Sequence, residues 1–463
     1  MKKDLRRLLP LFCVLVLLAA CVPYSFSPPT QIHINPGDHV DRAVIAMDAA
    51  GRSHIAGVVN DRVVYTRTTF GDLHVNLTMT MSSSGTNWKQ YSPDIAVTDS
   101  GTAWLVWIEQ RGNTDKIACY QAFPFFPPFG GYDTGCARLD SGSLTTGNVM
   151  VIAQGNQAYA LYDAKDISGR IGALWYKELT HPSNTGIIYW YADVLESGYL
   201  HSWDAGIDSD GYLHLAFLDD DGYDNERLLY RSNRDTAADG TMKQAWAIVG
   251  SNDLEEDTSI SLTFYMDGTV ERMAVASIYE DLGVDEIWID SCDAIDCSFV
   301  SHISHHVTLP TAWLTQSVIT DVELVGIDTM VHLGFIGDDS PSLAPQVYYL
   351  DDAFDTDAPL MPSNSRSTLK YDLEAVKVDP RPESPATSSF AALSWGETNL
   401  ITIEYYSFDG LWQTTVYTTD CTSSLVTGET ASNGVYHSGV WQACEDAWFT
   451  TKANQAYLPV ISK

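Results

Sequence analysis

A segment that recurs every 50 to 58 residues constrains the fold of this protein more than any other sequence feature. Each copy has an alternating strand, a tight turn, a second strand and a third strand that carries a large aromatic residue. The clearest copy runs from Asp204 to Tyr230, with the turn at Asp208-Ser209-Asp210-Gly211. Glycine readily adopts the positive φ that such turns require. Because period-two alternation is typical of strands that bury one face, the chain is predicted to form small antiparallel sheets.

The copies can be counted from their turn glycines and closing aromatic residues. The glycines are Gly51, Gly101, Gly155, Gly211, Gly268 and Gly326. The aromatic residues are Tyr65, Tyr120, Tyr176, Tyr230, Trp288, Tyr349 and Tyr405. A seventh copy begins near Asp372 and has no turn glycine. This periodicity indicates a repeat fold, and we predict an all-β protein, a β-propeller with seven blades of about four antiparallel strands. We expect the propeller over residues 39–424 and a C-terminal extension, residues 425–463, packed on it.

The first twenty residues have the pattern of an export signal. Basic residues precede an apolar run from Leu8 to Leu18, which is too short to anchor stably in a bilayer. The run ends in Leu18-Ala19-Ala20-Cys21, which resembles the lipobox of bacterial lipoproteins. We therefore predict a lipoprotein signal peptide over 1–20, lipidation of Cys21 and a flexible tether over 21–38. The protein would then be held on a membrane, facing the cell exterior or the periplasm. The alternative is an ordinary signal peptide that contains a cysteine.

Six cysteines remain beyond Cys13 in the signal and Cys21 at the lipid site. An even number of cysteines in an exported protein is typical of disulfides. The repeat favours pairs that are close in sequence, namely Cys119 with Cys136, Cys292 with Cys297, and Cys421 with Cys444. A zinc site is the competing interpretation, but the cysteine spacing does not fit one.

The charge of the chain limits the classes of partner that it can be expected to bind. Sixty acidic residues against 26 basic ones give a net charge of −34. Phosphate binding needs clustered Lys and Arg, so we expect no nucleic-acid partner. Such a chain suits cations, basic partners or neutral sugars. We expect a monomer that binds a glycan or a cell-envelope protein and contacts the membrane through its lipid.

The repeats resemble the blades of the sialidase-like, Asp-box (BNR) β-propeller superfamily. The segment from Pro93 to Trp107, PDIAVTDSGTAWLVW, carries this resemblance. Ser407-Phe-Asp409-Gly410-Leu-Trp412 is one residue shorter than the S-x-D-x-G-x-T-W turn of that family, so the Asp boxes are degenerate. Family members that cleave sialic acid use three arginines, a Tyr–Glu pair and an Asp. Of these residues only one arginine has a counterpart in this chain, Arg42 at the start of the first strand. The resemblance therefore implies the fold without a recognisable catalytic set.

An acidic residue follows the second strand of every unit. In a propeller these positions are expected to ring one mouth of the central channel. The acids are Asp61, Glu109, Asp163, Asp219, Glu280, Asp338 and Glu397. Connections on the same face add the aromatic residues Trp88, Tyr91, Tyr199, Trp203 and Trp313. Carboxylates beside aromatic faces predict a carbohydrate site. The alternative is that acids end strands because loops are solvated.

Two polar segments raise the question of a metal. The loop from Asp219 to Asp224 is rich in oxygen ligands, and Asp219, Asp221 and Asp224 could hold calcium, the one cofactor that the sequence suggests. It lacks the order of an EF-hand, and a solvated loop is the alternative. His302 and His306 lie on one side of a strand, where a solvated outer edge is the favoured interpretation. The apolar insertion from Phe123 to Tyr132 is interpreted as a plug over the channel, with partner docking as the alternative.

These observations favour a membrane-tethered propeller that binds a carbohydrate or a partner without catalysis. The alternative is a glycan-cleaving enzyme, either a glycoside hydrolase that uses two carboxylates or a polysaccharide lyase. His54 and His214 are the candidates for a lyase, but they occupy the same repeat position, which favours a structural role. We assign no catalytic residue from the sequence.

Overall fold

The computed structural model describes the residues of the regular sheets and of many of their turns. These are 30–31, 41–48, 50, 52–68, 75–81, 88–111, 115–123, 134–137, 145–165, 171–180, 200–220, 226–236, 242–248, 259–281, 284–295, 297, 303–307, 309, 318–327, 329–338, 346–350, 352–355, 361–362, 376–380, 391–406, 412–430, 436–443 and 446–453. From residue 361 onward the backbone alone is described.

The first two sheets follow the repeat closely. After β1 (Thr30–Gln31), the first sheet contains β2 (Asp41–Met47), β3 (Ser53–Val59), β4 (Arg62–Thr68) and β5 (Val75–Thr80). The second contains β6 (Lys89–Val97), β7 (Ala103–Arg111), β8 (Asp115–Phe123) and β9 (Thr134–Ala137). Each sheet is antiparallel, with its strands in chain order.

The third sheet holds two units. Its strands are β10 (Thr145–Gln154), β11 (Gln157–Lys165), β12 (Ile171–Glu178), β13 (Leu200–Ile207), β14 (Leu213–Asp220), β15 (Glu226–Thr236) and β16 (Met242–Ile248). The register between β12 and β13 consists of one pair, Ile171 with Leu200. The strands from β10 to β12 and those from β13 to β16 therefore correspond to two copies of the repeat.

Two more four-stranded sheets follow. One contains β17 (Ser261–Asp267), β18 (Val270–Asp281), β19 (Val284–Asp293) and β20 (Ile303–His306). The other contains β21 (Val318–Ile327), β22 (Met330–Asp338), β23 (Gln346–Leu350) and β24 (Met361–Pro362). His306 is thus in the outer strand of its sheet, as the sequence predicts.

The last sheet differs from the repeat. It contains β25 (Val376–Pro380), β26 (Ala391–Tyr406), β27 (Trp412–Thr430), β28 (Tyr436–Ala443) and β29 (Asp446–Ala453), and β1 pairs with β29 at its edge. The predicted boundary at residue 424 falls inside β27, because the extension adds strands to this sheet. Thr30 and Gln31, from the predicted tether, form the edge strand. Glu397 lies within β26, and the other predicted mouth acids from Glu109 onward likewise lie within the second strand of their units and do not follow it.

The sheets are arranged in a ring. The first strands of successive units pack side by side in the order β2, β6, β10, β13, β17, β21 and β25, and β2 also contacts β27 and β28 of the last sheet. Radial repetition of small sheets leaves only short, protected edge strands, as in propellers. The all-β, β-propeller prediction is confirmed, and the number of blades stays a prediction.

Side chains of the first strands tie neighbouring units together. The Asp94 carboxylate accepts a hydrogen bond from the backbone N–H of Val151 (2.7 Å), and Asp204 accepts one from Leu262 (2.7 Å). Thr263 accepts one from Gly326 (2.7 Å). These bonds satisfy backbone groups that have no sheet partner on that side.

The apolar core lies between adjacent sheets. Between the first two, Tyr65 is fully buried and stacks on Phe123 with ring centroids 3.9 Å apart. The large closing ring fills the gap between two sheets, as the repeat pattern predicts. Burying such a side chain contributes about 1.5–3 kcal/mol.

One turn glycine predicted from the sequence has a different role. Gly101, Gly155, Gly211 and Gly268 have positive φ, as tight turns require. Gly326 instead lies inside β21, and a Cβ there would be 1.7 Å from the backbone oxygen of Phe264. Gly326 is therefore required by the close approach of β17 and β21, and its assignment to a turn was wrong.

Two disulfides are present in the described part of the chain. Cys119 is bonded to Cys136 and Cys292 to Cys297, as predicted, and such bonds are typical of an oxidising environment. The side chain of Cys421, and Cys444, lie outside the described residues. Within the described part of the chain, no helix has the length and apolar character needed to cross a membrane.

Candidate functional site

A cavity of about 680 Å³ occupies the centre of the ring. Its wall consists of the first strands of six units and the residues that lead into one of them, from Val44–Met47 on β2 to Glu323–Val325 on β21. Successive side chains of a strand point to opposite faces of its sheet, and side chains such as Asp94 and Asp204 reach the neighbouring first strands around the cavity. The cavity is therefore a direct product of the repeat.

The described wall is acidic. It contains the carboxylates of Asp94, Asp204 and Glu323 and no Lys, Arg or His side chain among the described lining residues. Ser202, Ser259 and Ser261 add hydroxyl groups. Such a wall favours cations and neutral hydroxylated ligands over anions.

Trp203 supplies the aromatic surface of the described wall. It lies within β13, is half-buried, and packs against the cluster that contains Leu215 and Phe217. The sequence places Trp203 in a connection, whereas the structure places it in the innermost strand. A rigid indole at a cavity wall is suited to stacking on a sugar ring.

The wall carboxylates already have partners. Asp94 accepts the Ile95 N–H at Oδ1 (2.9 Å) and the Val151 N–H at Oδ2 (2.7 Å). Asp204 accepts the Ala205 N–H at Oδ1 (2.8 Å) and the Leu262 N–H at Oδ2 (2.7 Å). Both groups therefore help to hold adjacent units together.

The acids predicted to ring one mouth occupy different environments. Asp61 has φ of 60° in the turn between β3 and β4, is exposed, and pairs with Lys89 at 2.9 Å. Glu109 and Asp163 have no exposed surface. Glu109 accepts from the Gln90 amide (2.8 Å), and Asp163 from the Asn148 backbone (2.6 Å) and side chain (2.9 Å). The sequence predicts that Glu109 and Asp163 are exposed in a ring of acids at the mouth of the channel. They are buried instead, because their carboxylates bond to the first strand of their own sheet.

The side chains of the other four acids lie outside the described residues. Asp219, Glu280, Asp338 and Glu397 are placed as backbone within β14, β18, β22 and β26. Among the predicted aromatic residues, Trp88 packs partly on the core between the first two sheets. Tyr91 lies under Lys116, whose Nζ is 5.3 Å from the ring centroid. Tyr199 and Trp313 lie outside the described residues.

The predicted metal loop is also outside the described part of the chain, since Asp221 and Asp224 are not described and Asp219 is placed as backbone only. Among the described residues, Glu109, Cys119 and Cys136 are close enough to share an ion. They offer no thiolate, because the two cysteines are bonded to each other. Of the apolar insertion only Phe123 is described.

The candidate lyase histidines are buried away from the cavity. His214 has no exposed surface, its Nδ1 bonds the Tyr230 hydroxyl, and its Nε2 is 2.8 Å from Asp208. His54 repeats this arrangement with Tyr65 (2.7 Å) and Asp48 (3.3 Å). The histidines cannot reach a ligand in the cavity, so the structural interpretation of this repeat position is the one that the geometry supports.

The electrostatics of these groups follow from burial. Burial lowers the pKa of His54 and His214 against the opposing effect of their aspartates. Burial would raise the pKa of Asp208, but its hydrogen bonds from His214 and the Tyr212 backbone hold it below the ordinary value. Each aspartate is therefore a carboxylate that accepts from its histidine.

A third buried histidine, His332, has a tyrosine partner but, among the described residues, no aspartate partner. His332 Nδ1 bonds the Tyr349 hydroxyl at 2.6 Å, while its buried Nε2 has no hydrogen-bond partner. Burial lowers the pKa of His332 to about 4. This histidine is therefore neutral at pH 7.

The sequence did not single out Asp94, Asp204, Ser259, Ser261 or Thr263. Their signal was available, because each is a polar residue in the first strand of a unit or, for Ser259, just before it. Only the ring arrangement shows that these side chains face a neighbouring first strand.

Comparisons with known proteins show similarity in fold. No known family matches the sequence, and no curated protein matches it. Among solved structures, the chain is similar to the Dos1 propeller, with 9% identity, a TM-score of 0.48 and coverage of 92% of this chain and 94% of that one. It is also similar to an α-L-arabinanase of Penicillium chrysogenum in complex with arabinobiose, with 7% identity, a TM-score of 0.39 and coverage of 85% and 98%. A sialidase of Trypanosoma rangeli has 11% identity and a TM-score of 0.38, with 78% of this chain and 53% of that one covered.

Proposed function

We propose that the protein is an exported, membrane-tethered propeller that binds a neutral glycan in its central cavity without cleaving it. The observation that carries this proposal is the cavity of about 680 Å³, whose wall combines carboxylates, serine hydroxyls and Trp203. The volume lies in the range of small-ligand sites, about 300–1,000 Å³. Hydroxyl groups of a sugar can donate to the carboxylates while a ring face stacks on the indole.

The charge of the wall supports a neutral ligand. The described lining presents three carboxylates and no basic group. An anionic sugar would enter a negative field without a cation to bind its acid group. Uronic and sialic acids are therefore expected to bind more weakly than neutral sugars.

The hydrogen bonds of Asp94 and Asp204 support binding over catalysis. Both oxygens of each carboxylate accept backbone N–H bonds. A general acid must carry a proton and a nucleophile must be free to attack. A glycoside hydrolase is the second candidate, since three carboxylates share one wall and catalysis needs two at about 5–10 Å.

The location belongs to the same proposal. Lipidation of Cys21 would hold the propeller on a membrane, and the two disulfides fit an oxidising compartment. The membrane is the partner that the lipid contacts, and the glycan or a cell-envelope protein is the partner of the domain.

We propose calcium as the ion for the loop that contains Asp219, Asp221 and Asp224. Binding to the folded state alone raises the melting temperature. Chelation of calcium with EGTA is therefore expected to lower the melting temperature measured by circular dichroism. An identical melting temperature with calcium and with EGTA would contradict this assignment.

The test of the main proposal is a glycan array combined with a polysaccharide-degradation screen. We expect retention of neutral glycans, weaker retention of uronic and sialic acids, and no new reducing ends. Reducing ends or unsaturated products would show that the enzyme is the correct alternative. Absence of binding to every neutral glycan would contradict the proposal.

A further inference from the structure

Exposed large apolar side chains are concentrated at one end of two adjacent units. Among the described residues six such side chains are exposed, and five of them belong to the units formed by β13–β16 and β17–β20. They are Tyr212, Met266, Val270, Ile295 and Ile303. The sixth, Val318, begins β21 at the opposite end. We call the first four residues, with exposures of 37% to 66%, the turn patch.

Hydrogen bonds join the turns that carry the turn patch. Ser209 donates to the Glu271 carboxylate from its backbone N–H (3.0 Å) and from its hydroxyl (2.6 Å), which links the β13–β14 turn to the start of β18. The Ala294 N–H donates to the Glu271 carbonyl (2.9 Å), which links the β19–β20 loop to the same residue. Glu271 thus lies next to Val270 and close to Ile295.

The turn patch is also held rigid. The Cys292–Cys297 disulfide closes the loop that carries Ile295. Arg272 bonds Ser291 (3.1 Å) and Asp293 (2.9 Å) beneath that loop. The ring of Tyr212 lies against Arg234 at 4.2 Å. A surface that is ordered before it binds loses less entropy on association.

The rim of the turn patch is acidic. Asp210, Asp267 and Asp293 are 57%, 64% and 34% exposed. Arg234 is 18% exposed and already pairs with Asp208 and Asp210. An apolar centre with a polar rim is the pattern of protein interfaces.

We propose that the turn patch docks a segment of another protein that presents apolar side chains flanked by Lys or Arg. The acidic rim selects this occupant by charge complementarity. A second copy of this chain would bring the same acids against the rim, and an anionic membrane would be repelled. This site is separate from the central cavity, and the inference does not depend on glycan binding.

The test uses the full chain carrying Cys21→Ser, so that no lipid contributes. Fluorescence anisotropy measures binding of short synthetic peptides with a Leu-Phe-Leu centre flanked by lysines, and of the same centre flanked by glutamates. We expect the lysine peptide to bind at least tenfold more tightly, a difference of about 1.4 kcal/mol. Raising the salt concentration should reduce this preference.

Variants assign the binding to the turn patch. Val270→Asp combined with Ile295→Asp is expected to weaken the lysine peptide about tenfold or more. Val318→Asp places the same charge on an exposed valine at the opposite end and is expected to leave binding unchanged. Because all three side chains are exposed, each variant should keep its circular dichroism spectrum, which is the check on folding.

Several results would overturn the proposal. They are equal binding of the two peptides, or lysine-peptide binding that survives in the folded double variant. Self-association of the parent chain in analytical ultracentrifugation that the double variant abolishes would make a second copy the occupant. Binding to anionic vesicles that the double variant abolishes would make a lipid surface the occupant.

Discussion

His214 and Trp203 lie in neighbouring strands of one sheet, yet their environments differ. His214 is fully buried, with Tyr230 and Asp208 on its two ring nitrogens. Trp203 is half-buried at the cavity wall. The difference teaches that buried polar residues which repeat along this chain are structural, while the described wall of the central cavity is built from the first strands and the residues that lead into one of them.

The repeat itself contains graded versions of the buried arrangement. His54 and His214 each have a tyrosine and an aspartate, whereas His332 has a tyrosine and a bare Nε2. In the β17–β20 sheet, Arg272 and Ser291 lie on the second and third strands, and Ser291 bonds both Tyr265 (2.9 Å) and Arg272 (3.1 Å). The units thus keep buried side-chain hydrogen bonds between their strands while the residues that form them differ, as expected for a structural role.

The largest effect is expected for Asp208→Ala. In the parent protein His214 Nε2 and Arg234 Nε lie 2.8 Å and 2.9 Å from the Asp208 carboxylate. The change leaves both without this acceptor. Loss of one member of a buried charged network costs about 3–5 kcal/mol. Urea denaturation would measure the free energy of unfolding. Asp210→Ala is the control, because its carboxylate is 57% exposed and surface pairs contribute about 0–1 kcal/mol. Equal losses in the two variants would contradict the structural role of Asp208.

An intermediate effect is expected for Asp204→Ala on the cavity wall. The Leu262 N–H would lose the acceptor that joins β13 to β17. An unsatisfied backbone donor costs about 1–3 kcal/mol. Asp99→Ala, in the exposed β6–β7 turn, is the control and should change the free energy of unfolding by less than about 0.5 kcal/mol. A loss at Asp204 as small as at Asp99 would mean that this bond does not hold the ring together.

At neutral pH the smallest effect is expected from His332, whose titration changes the stability only as the solution becomes acidic. His332 has a pKa of about 4 in the folded protein and 6.5 as the ordinary value. The unfolded chain therefore binds more protons between these values, so stability is lost as pH falls from 6.5 toward 4. The slope is at most about 1.4 kcal/mol per pH unit for this histidine. His332→Gln should reduce the slope of the unfolding free energy against pH. An unchanged slope would show that His332 titrates normally in the folded state.

The sequence predicted the fold well because a propeller is specified locally. Turn glycines, strand alternation and one aromatic residue per unit are all visible within about 27 residues of the Asp204–Tyr230 copy. The pairings of Cys119 with Cys136 and Cys292 with Cys297 were accessible for the same reason, since both lie within single hairpins.

The candidate site was predicted less well because it depends on contacts between segments distant in sequence. Glu109 follows the predicted pattern of exposed acids, and only its bond to Gln90, 19 residues upstream, explains its burial. Gly326 fits the turn pattern by spacing, and its contact with Phe264 of the preceding unit explains it. Asp94 reaches Val151, 57 residues downstream. A single repeat does not contain this information.

The most direct test of the account is the affinity of a neutral glycan for the Trp203→Ala variant, measured by isothermal titration calorimetry with the best ligand from the array. Trp203 is the aromatic residue of the described cavity wall, and we expect the loss of its indole to lower the affinity about tenfold or more. The folded state would be checked by circular dichroism, and Asp210→Ala would serve as a variant altered outside the cavity with parental affinity. Parental affinity in folded Trp203→Ala would contradict the claim that the central cavity is the binding site.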